Sequence, residues 1–223
     1  MGHDRELERV DLYGCGFYIS TQTTFTRQTR DTSSIMANLI FFSGSNSSHS
    51  INAKLAQQAA RVAKEKGASV KVISLADYPL PLYDPDQQEH DGFPKAAYDL
   101  KKVLQDADGV FIASPEYNGS FTPVLKNAID WVSRIREEGE PMLPAFTGKV
   151  YAIGAASPGA MGGMRGLVML RMLLGNIGIN VVPSQIALGG ANDAFNDDGS
   201  LANDMHATFL NNTIDDLIRF AKA

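Results

Sequence analysis

Between Asn38 and the C-terminus, short apolar runs alternate with stretches whose apolar residues recur at helical spacing, and the alternation repeats five times. Leu39–Phe42 is a continuous apolar run, the pattern of a strand covered on both faces. Ile51, Leu55, Ala59, Val62 and Ala63 then recur at three- and four-residue steps, and Gly67 marks the stop. Val70–Ile73 reads as a second strand, followed by a Pro-rich loop, Tyr78–Tyr83. Ala96, Leu100, Val103 and Leu104 make one helical face ahead of a third strand, Gly109–Ala113. Pro123 suits the first position of the next helix, whose face is Leu125, Ala128, Ile129 and Val132. Lys149–Gly154 is a fourth strand and Met164–Leu174 a nearly all-apolar helix. Ile179–Val182 begins a fifth strand, and Leu201–Phe220 closes the chain as an amphipathic helix.

Five strands interleaved with five helices define an α/β protein: a doubly wound parallel sheet with helices on both faces. Right-handed crossovers leave few topologies, of which the order 2-1-3-4-5 is the usual five-stranded solution. No internal repeat or second domain interrupts the pattern, and 223 residues are enough to bury a core without staples. The first 35 residues read differently. Residues 20–34 are almost entirely Ser, Thr, Gln and Arg, with Phe25 the one large apolar residue, and no signal or transit pattern is present. Residues 1–35 are therefore expected to be a dispensable N-terminal extension, and 36–223 the functional domain.

Charge and composition remove several functions. Twenty Lys and Arg against 25 Asp and Glu leave a net charge of −5, without the basic footprint of a nucleic-acid binder. Cys15 is the single cysteine, which excludes an internal disulfide and a Cys-based zinc site. His3, His49, His90 and His206 show no paired metal spacing, so no metal is expected. No apolar run approaches the roughly 18–20 residues that span a bilayer. A cytoplasmic protein without nucleic-acid or membrane partners is expected.

In such sheets a ligand sits beyond the carboxyl ends of the strands, near the switch point between strands one and three. Three loops reach that edge. Ser43–Asn52 carries five serines and two asparagines ahead of a helix N-terminus, where free N–H groups and the dipole favour an anion. A plain Ser-capped helix would look similar but needs only one of those serines. His49 in this loop reads as a solvated turn residue. Ser114–Ser120 contains Pro-x-x-Asn-Gly, which exposes main-chain donors and acceptors beside one aromatic face, that of Tyr117, although many turns share this chemistry. Ser157–Arg165 has three glycines that let backbone approach a ligand. Arg165 near a helix start is slightly unfavourable as mere surface, which points to an anion nearby.

Gly44-Ser45 with Ser50-Ile51-Asn52, then Pro115–Ser120 leading into Leu125–Trp131, then Ser157-Pro-Gly-Ala-x-Gly-Gly-x-Arg165, resemble the NADPH-dependent FMN reductase family, which includes quinone and chromate reductases and some azoreductases. The three motifs fall in order at the three ligand loops, and the resemblance covers about residues 37–220. It implies a flavodoxin-like fold, non-covalent FMN, NADPH or NADH as co-substrate, and a homodimer or homotetramer with flavins near the interface. Carried over by position, Ser45, Ser50 and Asn52 hold the flavin phosphate, with Ser43, Ser47 and Ile51 beside them. Pro115, Glu116, Tyr117, Asn118 and Gly119 line the ring, while Ser157, Gly159 and Gly162 border its other side. Arg165 falls at the substrate approach, and Trp131 in core or interface. No side chain is assigned as catalytic, since the flavin carries the chemistry; Tyr117 and Asn118 form the ring environment. Many members have Arg where this chain has Ser47, which leaves the phosphate to neutral donors and the helix terminus.

The implied activity is ping-pong transfer of two electrons from NAD(P)H to a quinone, free flavin or similar small acceptor. The rival is a flavodoxin-like one-electron carrier that docks on a redox partner. Carriers enclose the flavin between aromatic side chains, and here only Tyr117 offers itself.

Overall fold

The computed structural model describes residues 36–222; the expectation for residues 1–35 lies outside the described residues. Five strands, β1 (Asn38–Ser43), β2 (Ser69–Ser74), β3 (Gly109–Ala113), β4 (Val150–Ala156) and β5 (Asn180–Leu188), form one sheet in the order β2-β1-β3-β4-β5. Every pairing is parallel. The helices are α1 (Ile51–Glu65), α2 (Pro85–Asp91), α3 (Lys95–Gln105), α4 (Pro123–Arg134), α5 (Met164–Asn176) and α6 (Asp204–Ala221). The flavodoxin-like order expected from the alternation is thus the observed one.

The period of two along each strand sorts the core into two layers. Leu39, Phe41 and Phe111 pack under α1 and α6, with Leu55, Leu210 and Leu217. Ile40, Phe42, Val110, Ile112 and Ile153 face the other way, onto Leu104, Leu125, Ile129 and Leu170 of α3, α4 and α5. Trp131 is fully buried, edge-on to Tyr83 at 5.1 Å, and its Nε1 donates to the Pro81 carbonyl at 2.8 Å. It belongs to the core.

Two elements depart from the sequence reading. A sixth helix, α2, follows the Pro-rich loop, started by Asp84, whose carboxylate accepts from the Asp86 N–H at 2.9 Å, and by Pro85. None of its residues is buried, so apolar spacing carried no trace of it. β5 runs on through Pro183 to Leu188. Proline is tolerated there because β5 is an edge strand paired with β4 alone.

α5, nearly all apolar in sequence, buries only one side. Gly166, Leu167, Leu170 and Leu174 are covered, whereas Met164, Val168, Met169 and Met172 stand exposed.

Register decides where the chemistry can sit. Ser43 of β1 pairs with Ala113 of β3, and Ala113 with Gly154 of β4. The three loops read as ligand loops therefore leave the sheet side by side.

Candidate active site

The first loop turns tightly on its own serines. The Ser47 N–H donates to Ser45 Oγ at 3.2 Å, and the His49 N–H to Ser47 Oγ at 3.3 Å. Ser50 is the N-cap of α1: it is extended, and its Oγ accepts from the Ala53 N–H at 3.3 Å. Its hydroxyl also lies 3.4 Å from that of Ser43, and both are buried. The N–H groups of Ile51 and Asn52, the first two of α1, have no acceptor among the described residues. Ser45 is half-buried, while Ser47, Ser48 and His49 are exposed. The result is a helix end rich in neutral donors, suited to a phosphate.

The second loop is a tight turn. Asn118 and Gly119 both have positive φ, 52° and 83°, the conformation Asn-Gly favours. The Tyr117 N–H donates to the Ser120 carbonyl at 2.9 Å, and the Ser120 N–H to the Tyr117 carbonyl at 3.1 Å. Within the 117–120 turn, the N–H donors left open among the described residues are therefore those of Asn118 and Gly119, and that of Tyr117 is not among them. The Tyr117 ring stands 52% exposed at the rim, available as a wall.

In the third loop, Ser157 Oγ accepts from the Gly159 N–H at 3.3 Å, and the Ser157 backbone bonds to Leu188 and Ala191. Gly162 has φ 61°, and a Cβ there would come within 2.6 Å of the Ala187 carbonyl carbon. Only glycine lets this loop lie flat on β5.

Each pair of loops is joined by one polar bridge. The Asn52 carboxamide, expected on the phosphate, is bonded at both ends to Ala156: Nδ2 donates to its carbonyl at 2.9 Å, and Oδ1 accepts from its N–H at 2.8 Å. What Asn52 offers an anion is its own N–H. Thr122 Oγ1, which caps α4, donates to the Gly44 carbonyl and joins the second loop to the first. Glu116 joins the second to the third: its Oε1 accepts from Arg165 Nε at 2.8 Å and Nη2 at 2.5 Å, and its Oε2 from the Gly166 N–H at 3.2 Å. Burial pushes the Glu116 carboxyl up, but the Gly166 N–H and the Arg165 guanidinium outweigh it and hold the group below the ordinary carboxylate range. Arg165 thus meets an anion, but one from its own chain.

Thr122 and Gly166 were missed by the sequence reading. Thr-Pro at 122–123 signals a helix start, yet nothing local reveals that Thr122 reaches Gly44. Among the described residues, no group of His, Cys, Asp and Glu is gathered that could hold a metal ion. No helix of the described residues is long and apolar enough to cross a membrane.

A parallel sheet ordered 2-1-3-4-5, with a donor-rich helix end and an Asn-Gly turn beyond the carboxyl ends of its central strands, defines a flavodoxin-like protein whose site fits a flavin mononucleotide. The chain belongs to the NADPH-dependent FMN reductase family, whose model matches residues 37–193, and is an FMN-dependent NAD(P)H oxidoreductase. It is 35% identical over 147 residues to a quinone reductase of Escherichia coli K12, covering 66% of this chain and 74% of that one. It is 34% identical over 163 residues to an NAD(P)H-dependent FMN reductase of Pseudomonas aeruginosa, covering 73% and 83%. Among solved structures it is similar to FerB, a flavoenzyme NAD(P)H:(acceptor) oxidoreductase from Paracoccus denitrificans, with a TM-score of 0.71 and 26% identity over 84% of this chain and 98% of that one.

Proposed function

We propose that the protein reduces quinones with NAD(P)H by a ping-pong mechanism, one nicotinamide leaving before the acceptor enters the same cleft. The observation that carries this reading is the triangle of bridges, which holds a phosphate-accepting helix end at a set distance from two ring-lining loops. In this reading the Ser45, Ser47 and Ser50 hydroxyls and the Ile51 and Asn52 N–H groups hold the phosphate. The Asn118 and Gly119 N–H groups face the ring edge, with Tyr117 and the 157–162 loop on its flanks. FMN, when bound, supplies the two-electron chemistry. The chain's donors near Asn118 stabilise negative charge there, a preorganised effect needing no acid–base side chain. A glycine-rich wall and one exposed tyrosine leave the cleft open enough for two substrates in turn, which favours the reductase over the enclosed site of a carrier.

The exposed Met164, Val168 and Met172, spaced four apart along α5, continue from Met161 and Tyr117 at the rim. We infer a homodimer that covers this face beside the site, an enzyme working in the cytoplasm with the NAD(P)H pool, and activity contained in residues 36–223. A chain begun at Met36 should match the full one in FMN content and turnover.

The test is to load the protein with FMN, add NADPH anaerobically, and follow the visible spectrum. Bleaching, with parallel-line kinetics when a benzoquinone is varied, is expected. Flavin that neither nicotinamide bleaches, but that a redox partner protein reduces, would favour the electron carrier.

A further inference from the structure

The three bridges between the loops differ in kind. Asn52–Ala156 and Thr122–Gly44 are buried, whereas Glu116, its side chain 8% exposed, pairs with an Arg165 side chain 65% exposed. We propose that Glu116 is a positioning residue: its carboxylate latches the 115–120 turn to the start of α5 and so sets the width of the cleft. The proposal rests on the reductase reading of the site, and gives Glu116 a task other than the ring contact implied by resemblance.

The start of α5 explains why a carboxylate from another loop is needed. Its N-cap is Gly163, at φ 85°, which has no side chain to accept from the first N–H groups. Gly166 is the third residue of α5, the usual recipient of an N-cap oxygen, and Glu116 Oε2 takes its N–H. Glu116 therefore caps α5 from outside. A negative group is favoured at that end of the helix dipole, and it also neutralises Arg165, which alone would be misplaced in a first turn.

The contact is close as well as charged. A Cβ on Gly166 would lie 3.2 Å from Glu116 Cβ and 3.2 Å from the Ser120 carbonyl oxygen. Glycine at 166 thus lets the turn and the helix meet almost backbone to backbone, and the carboxylate holds them there. Without it, the turn keeps only its internal Tyr117–Ser120 pair, and α5 begins uncapped.

The test compares the full-length parent with Glu116→Ala, Glu116→Gln and Gly166→Ala. Gln keeps an acceptor oxygen for either Arg165 or the Gly166 N–H but not both, and Gly166→Ala leaves the carboxylate intact while crowding the turn. Amide hydrogen exchange in flavin-free protein, FMN affinity, and the KM and kcat for NADPH with a benzoquinone are read. Losing charge-assisted hydrogen bonds predicts about tenfold or more faster exchange in both 115–120 and 164–167 for Glu116→Ala, with 44–52 unchanged. FMN binding should weaken about tenfold, the KM for NADPH should rise, and Gln should fall between parent and Ala. Gly166→Ala should move FMN affinity and KM the same way. Unchanged exchange across 115–120, or a lower melting temperature with FMN affinity and KM intact, would overturn the proposal. A parent that neither binds FMN nor oxidises NADPH would instead sink the reductase reading, and the exchange data would still decide the latch.

Discussion

Asn52 in the first turn of α1 grips both backbone groups of Ala156, 104 residues away at the end of β4. The pair is buried, so neither bond competes with bulk water. Asn52→Ala leaves the Ala156 N–H and carbonyl unpaired, at about 1–3 kcal/mol for each orphaned group. A fall in melting temperature of roughly 4–24 °C is expected for a domain of this size. The variant should also lose FMN on gel filtration, because the loops before α1 and after β4 are no longer tied. An unchanged melting curve would show the clamp to be idle.

Ser50 caps α1 and, in the proposed reading, also binds the flavin phosphate; two substitutions separate those tasks. Ser50→Ala should weaken FMN binding roughly 10- to 100-fold and cost about 1 kcal/mol as a lost cap. Ser50→Asp restores a good cap but sets a negative charge against the phosphate. Its melting temperature should match the parent, while FMN binding falls below that of the Ala variant. Calorimetry and flavin titration distinguish the two; an Asp variant that retains FMN would remove the phosphate from this loop.

Tyr151 is fully buried in β4, and its hydroxyl has no hydrogen-bond partner among the described residues. Burial alone pushes its pKa up. The surroundings are apolar, among them Phe42, Leu104 and Phe146. Tyr151→Phe removes an unpaired hydroxyl from that setting and should stabilise the fold by about 1 kcal/mol, raising the melting temperature by about 2–4 °C. A drop would show that the hydroxyl has a partner, such as a buried water.

Glu140, in the connection from α4 to β4, accepts from Lys101 Nζ at 2.6 Å, Gln105 Nε2 at 3.0 Å and the Glu137 N–H at 2.8 Å. The Lys101 bond first, then the other two, lower its pKa from 4.5 to about 2. A carboxyl depressed on folding contributes stability that is complete above the unfolded value and fades as pH falls through the folded one. Glu140→Gln should therefore melt below the parent at about pH 6, with the gap closing between about pH 4.5 and pH 2. A gap that persists at pH 2 would mean that the lost contact is packing and not charge.

The sheet was legible in the sequence because its central strands are buried on both faces: Leu39–Phe42 and Gly109–Ala113 are unbroken apolar runs, too short for a helix and rich in Ile, Val and Phe. Pro123 and Gly67 likewise mark helix ends by local backbone chemistry alone. The donor-rich first loop was readable for the same reason, since a capping serine acts within three residues of itself. Elements without buried apolar residues, such as α2, leave no such trace, and the run of β5 through Pro183 depends on which strand lies at the edge. The site's frame was out of reach for a further reason. Asn52 and Thr122 carry the marks of ordinary helix starts, and Glu116 those of a ring-lining loop. Their partners, at Ala156, Gly44 and Gly166, are chosen by which strand ends the crossovers bring abreast, and only the folded chain decides that.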